Sequence, residues 1–180
     1  MKFWVVSILF YFSFASAYCK TIVVSKHSSI ARVKDALNSC NNGDTIIVEG
    51  GFHKEGNILI DKSIYLKGIN LPVLDGEKKY EVLSIKANNV TISGFKIQHS
   101  SYATLDDPGG VKVYESNNVS ILNNYLYDNF FGIYLQYCSN CLVKDNKIVA
   151  FGKDEQTIGN GIHCWKSDSL QIIHNNINGH

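Results

Sequence analysis

An excess of charge of either sign is missing from this sequence of 180 residues. Lys and Arg number 17 and Asp and Glu 16, for a formal net charge of +1. Arginine occurs once, as Arg32, and methionine once, as Met1. A chain so balanced presents no basic field to a nucleic acid. Apolar runs are equally scarce. One covers Phe3–Phe14, broken by Ser7 and Ser13, and no other stretch is long enough to cross a bilayer. Met1-Lys2 before this run and Ala15-Ser16-Ala17 after it predict a secretory signal peptide over residues 1–17, too short for a comfortable span. Its removal takes away one lysine and the single methionine. That leaves 16 cations against 16 acids and no thioether ligand for a soft metal. The mature chain, 18–180, is therefore expected to be neutral, periplasmic or extracellular, and without a transmembrane span.

Asparagine is abundant instead, with 18 residues after position 17. Asn suits neither helix interiors nor ordinary strands, so this excess calls for turns that recur. The recurrence is visible. Asn88-Asn89-Val90-Thr91-Ile92 returns as Asn117-Asn118-Val119-Ser120-Ile121, as Ser139-Asn140-Cys141-Leu142-Val143 and as Asp168-Ser169-Leu170-Gln171-Ile172. The anchors 90, 119, 141 and 170 are spaced by 29, 22 and 29 residues, so the unit is 22 and two units carry a seven-residue insertion. A second strand begins eight residues before an anchor at Val111, Ile133 and Ile162, each after a glycine, Gly110, Gly132 or Gly161, expected for a tight turn. A third, short stretch recurs at Lys96-Ile97, Tyr125-Leu126, Lys147-Ile148 and Asn176-Ile177. Three short strands per unit of about 22 residues predict a parallel β-helix, whose coils stack about 4.8 Å apart. Asn124, Asn146 and Asn175 then share one column, and Asn89, Asn118 and Asn140 another. Their amides can form ladders.

Upstream, Ile30, Val33 and Leu37 share a helical face behind Ser28-Ser29, a predicted N-cap pair, and Asn41-Asn42-Gly43 ends the period. An amphipathic helix over about 28–40 is expected to cap the open end of coils that fill 44–180. At the other end the chain stops at Asn178-Gly179-His180, part-way through a coil, which predicts a truncated sequence.

The runs Gly43-Asp44-Thr45-Ile46-Ile47-Val48, Ile60-Asp61-Lys62-Ser63-Ile64-Tyr65-Leu66-Lys67-Gly68 and Leu74-Asp75-Gly76 resemble the opening coils of pectin-lyase-like proteins. Taken with Asn89-Val90-Thr91-Ile92-Ser93-Gly94-Phe95 and Gly159-Asn160-Gly161-Ile162-His163-Cys164-Trp165, the mature chain is similar to the NosD family. The resemblance implies an all-β, right-handed parallel β-helix with an N-terminal cap helix. It also implies an exported accessory factor for copper-site maturation of nitrous oxide reductase, acting beside a membrane ABC transporter. Similar coils recur in unrelated β-helix enzymes, which keeps open a polysaccharide-binding or polysaccharide-degrading reading.

Candidate chemistry lies on the outward faces. Lys112, Tyr134 and His163 fall in one column and Tyr114, Gln136 and Trp165 in the next, a strip of rings and polar groups suited to an extended sugar chain. Aromatic stacks that merely stabilise the sheet surface are the competing explanation. Five acids, Asp106, Asp107, Asp128, Asp154 and Glu155, fall in the loops before the second strand. They suggest paired carboxylates or a hard-cation site, or simply a soluble surface. No catalytic residues are assigned. Of the patterns expected of a polygalacturonase, Asn-Thr-Asp does not occur, and Asp-Asp and Arg-x-Lys occur as Asp106-Asp107 and as Arg32-Val33-Lys34, the latter in the predicted cap helix; no Arg stands in the coils as the base of a pectate-type lyase. Cys138-Ser139-Asn140-Cys141 has redox or metal spacing, but the repeat places Cys141 and Cys164 in the core and Cys138 at a turn. Cys19 and Cys40 fall together in the cap region and could pair. The Asn89-Val90-Thr91 and Asn118-Val119-Ser120 sequons are explained by the coils alone.

Overall fold

The computed structural model describes residues 19–102, 107–152, 154 and 157–180. The predicted signal peptide, Asp106 and Glu155 lie outside the described residues. Eighteen short strands, β1 to β18 in chain order, form three parallel sheets. The first sheet contains β1 (Thr21–Val24), β2 (Thr45–Glu49), β5 (Tyr65–Ile69), β8 (Thr91–Ser93), β11 (Ser120–Leu122), β14 (Leu142–Lys144) and β17 (Gln171–Ile173). The second contains β4 (Ile58–Ile60), β7 (Leu83–Ile85), β10 (Gly109–Tyr114), β13 (Phe131–Gln136) and β16 (Ile162–Trp165). The third contains β3 (Phe52–His53), β6 (Val73–Asp75), β9 (Lys96–Gln98), β12 (Tyr125–Tyr127), β15 (Lys147–Val149) and β18 (Asn176–Asn178). From β4 onward the chain visits the second, first and third sheets in turn and repeats. The fold is a parallel β-helix.

Strand alternation builds its core. Ile46, Leu66, Ile92, Ile121 and Val143 align on the first sheet, Ile60, Ile85, Val113 and Leu135 on the second, and Leu74, Ile97, Leu126 and Ile148 on the third. All are sealed from solvent, and each buried branched side chain stabilises by about 1.5–3 kcal/mol. The predicted spacing holds here: Val113, Leu135 and Cys164 are register partners.

The helix is shorter than expected. It covers Val33–Ser39, as α1, and buries Val33, Ala36 and Leu37. Ser28 is not its cap. That hydroxyl donates to the Ile30 carbonyl, 2.6 Å away, while Ile30 bridges Val24 in extended backbone. The first-turn amides of Val33 and Lys34 donate instead to the Glu55 carboxylate, at 2.8 and 3.0 Å. Burial raises the Glu55 pKa, but the bonds from His53, Lys34 and Val33 outweigh it and hold the carboxyl below its ordinary value. No helix among the described residues is long and apolar enough to cross a membrane.

Two turn expectations change in their cause. Gly110, Gly132 and Gly161 are not among the residues with positive φ. They are needed because coils meet there: a Cβ on Gly132 would stand 2.4 Å from the Gly161 oxygen and 2.6 Å from an Ile148 methyl. Of the two asparagine columns, the first is a ladder of side chains. Asn124 Nδ2 donates to Asn146 Oδ1 (3.2 Å), and Asn146 Nδ2 to Asn175 Oδ1 (2.9 Å). Each rung also accepts from a backbone amide of the preceding coil, as in Asn124 N to Asn146 Oδ1 at 3.0 Å. The second column has a side-chain rung too, from Asn118 Nδ2 to Asn89 Oδ1 at 3.1 Å, and its Asn89, Asn118 and Asn140 adopt left-handed φ of 56°, 58° and 54°, which Asn tolerates better than other side chains.

The cysteines depart further from expectation. All five are free thiols, so Cys19 and Cys40 do not pair. Cys138, expected at a turn, is buried within the core beside Cys141. Cys164, expected in the core, is the register partner of buried Leu135 and is exposed on β16, the last strand of its sheet among the described residues.

Candidate functional site

A cleft of about 720 Å³ opens on the outer face of the second sheet. Its floor is the column of outward positions Ser84, Lys112 and Tyr134, which are register partners on β7, β10 and β13. Tyr114 and Gln136 form the adjoining column. Lys79, Tyr80 and Glu81 enter from the loop before β7, and Asp107 and Pro108 from the segment before β10.

Glu81 anchors the polar network. The Tyr114 hydroxyl donates to both of its carboxylate oxygens at 3.1 Å, and the Ser84 hydroxyl donates to Oε1. Asn57 Nδ2 in turn donates to Ser84 Oγ at 2.7 Å. Burial drives the Glu81 pKa upward, against the opposing pull of Ser84, the Lys112 charge and Tyr114. Lys112 lies between two rings, 4.6 Å from the Tyr134 centroid and 4.9 Å from that of Tyr114, and donates to the Asp107 carbonyl at 3.2 Å. Lys86 stands 4.9 Å from the same Tyr114 ring. The cleft therefore carries three ammonium groups, Lys79, Lys86 and Lys112, against the two carboxyl groups of Asp107 and Glu81.

Of the six residues expected to form an outward strip, Lys112, Tyr114, Tyr134 and Gln136 line the cleft. They are less open than the strand pattern suggests, since Lys112 is 4% and Tyr134 6% exposed. Neighbouring residues cover them: Asp107 over Lys112, and Phe130 and Phe131 against Tyr134. His163 and Trp165 lie further along the stack, outside the cleft. The His163 ring packs edge-on to Tyr134 at 4.7 Å, and its Nδ1 is 2.9 Å from Asn160 Oδ1. Trp165 is 48% exposed.

The described acids of these loops, Asp107, Asp128 and Asp154, do not converge. Asp128 turns toward the third sheet, where it pairs with Lys78 at 2.8 Å and comes within 4.0 Å of His99, itself bonded to Asp75. Asp154 accepts from the Thr157 amide and hydroxyl in a local turn. Asp107 alone of the described acids reaches the cleft. Among the described residues no group of three His, Cys, Asp or Glu side chains is placed to hold a metal ion.

Glu81, Ser84, Lys86 and Asn57 escaped the sequence reading. Asn57 lies one coil earlier, just before β4, and the coil of the other three is offset: Leu83, the partner of Val111, precedes Val90 by seven residues instead of eight. A search that tolerated a one-residue shorter turn would have found Leu83-Ser84-Ile85 and put Ser84 on the outward face.

Comparison with known proteins agrees with this architecture. A crystal structure of a pectin methylesterase point mutant in complex with a hexasaccharide is similar, with a TM-score of 0.54, 16% identity, and coverage of 77% of this chain and 58% of that one. A second pectin methylesterase complex has a TM-score of 0.48 and 12% identity, covering 86% of this chain and 67% of that one. The chain thus spans somewhat more than half the length of the first. No curated protein matches the sequence. Residues 20–180 match the family described as the right handed beta helix region, and the chain, a right-handed parallel β-helix, belongs to that family.

Proposed function

We propose that the cleft on the second sheet binds a segment of an anionic, uronic-acid-containing polysaccharide. The observation that carries this reading is the joint presence of lysines, tyrosine rings and hydrogen-bonding groups in one elongated cleft. Lys79 and Lys86 meet the carboxylates of the sugar, while Tyr80 and Tyr114 offer ring faces to its C–H surfaces. Gln136 and Asn57 hydrogen-bond hydroxyls. Glu81, accepting from the Tyr114 and Ser84 hydroxyls, fixes those two side chains in the cleft. The hexasaccharide in the similar pectin methylesterase supports the reading at the level of fold. The copper-maturation role, with its transporter and reductase partners, rests on the NosD resemblance alone, and the described residues supply no converging donor set for the metal.

The test is calorimetric titration with oligogalacturonates, their methyl esters and neutral oligosaccharides. Binding is expected for the acidic forms, weakening with added salt and roughly tenfold in Lys86→Gln. Absence of binding to every oligosaccharide, or acidic binding unchanged in both Lys86→Gln and Tyr114→Ala, overturns it.

A further inference from the structure

We propose that Cys138 and Cys141 are a redox pair, a dithiol that closes to a disulfide within its own turn and fastens the corner leading into β14. The repeat itself shows what this turn requires. The equivalent positions are Ser116 and Val119 one coil earlier and Ser167 and Leu170 one coil later, so a hydroxyl and a branched apolar side chain satisfy the coil. Replacement of both by cysteine in a single coil is not demanded by packing.

Geometry supplies the second observation. Both side chains point inward and are 2% exposed. Cys138 Sγ is 3.2 Å from the Gln136 oxygen and 3.5 Å from that of Val113, while Cys141 Sγ is 3.4 Å from the Ser139 oxygen. The two buried thiols lie three residues apart in one turn and in the same core cluster. The influence of Cys141 lowers the Cys138 pKa against the effect of burial, and that of Cys138 raises the Cys141 pKa together with burial. Cys138 is thus the attacking thiolate and Cys141 the resolving thiol. Cys164 interacts with them only through longer-range charge.

With oxidised glutathione as oxidant, the Cys138 thiolate attacks one glutathione sulfur, forming a mixed disulfide and expelling glutathione thiolate. Cys141 then gives up its proton and attacks Cys138 Sγ, and the second glutathione leaves. The two electrons from the protein sulfurs end on two molecules of reduced glutathione. Access comes from local parting of the following coil, which holds the turn by a bond from Cys138 N to Ser167 Oγ (2.9 Å) and one from Asp168 N to Cys138 O (3.0 Å).

The experiment incubates the folded full chain with oxidised glutathione, maps disulfides by peptide mass spectrometry, and follows melting. A Cys138–Cys141 cross-link is expected in wild type and in Cys164→Ala, with a melting temperature raised by roughly 4 °C that reductant reverses. Cys141→Val, which restores the side chain of the neighbouring coils, is expected to stop at glutathionylated Cys138. Persistence of both thiols in folded protein, when urea-unfolded chain is oxidised in parallel, overturns the proposal. So does a cross-link that runs to Cys164.

Discussion

The Glu81 carboxylate accepts from the Ser84 and Tyr114 hydroxyls, yet desolvation is the larger influence on its proton. The consequence for stability has a definite sign. A carboxyl whose folded pKa lies above its ordinary value of 4.5 favours folding fully below that value, and the contribution fades as pH rises through the folded pKa. The difference in melting temperature between wild type and Glu81→Gln is therefore expected to shift in favour of the variant as pH is raised from 4 toward 8. Circular dichroism melts across that range check it. A difference that stays flat with pH means that Glu81 titrates normally. Asp75 behaves oppositely: bonds from Gln98, the Glu77 amide and His99 overcome the burial that raises its pKa, so it cannot produce this trend.

Elements were legible where neighbouring coils share a spacing. The offset of eight located β10, β13 and β16, and with them the columns that hold Lys112, Tyr114, Tyr134 and Gln136. It missed β7 because a turn shortened by one residue breaks the period while leaving the sheet intact. The start of α1 was hidden for a different reason. Its cap is Glu55, 22 residues beyond Val33 in the chain, and a local pattern such as Ser28-Ser29 cannot report a partner supplied by the next coil. Glu55→Ala is expected to destabilise by about 1 kcal/mol, the usual value of a lost helix cap. Glu55→Gln, which keeps an acceptor, is expected to recover part of the loss. Urea unfolding of the two variants separates these outcomes, and equal stability of both with wild type would remove Glu55 from its capping role.

At the scale of the whole molecule, each coil depends on those above and below it, so a fault in the core does not stay local. Leu135 is fully buried between Val113 and Cys164. Leu135→Asp places a carboxylate in that column and is expected to abolish cooperative folding, whereas Leu135→Met is expected to cost under about 1.5 kcal/mol. A Leu135→Asp protein that melts like wild type would contradict the register. The stack also explains why the cleft was only half readable. Register fixes which side chains share a column, but what covers that column comes from connections such as Asp107 and Pro108, whose path no periodicity dictates.

The stacking of strands has a mechanical consequence as well. Backbone hydrogen bonds between coils run along the long axis, while the covalent chain winds across it. Tension applied along that axis loads one layer of bonds after another, and rupture releases a coil of 20 to 29 residues, about 7–10 nm of contour each time. Force applied across the axis instead meets the polypeptide itself, wound in closed girths around the core. The molecule is a soft spring lengthwise and a stiff rod in cross-section.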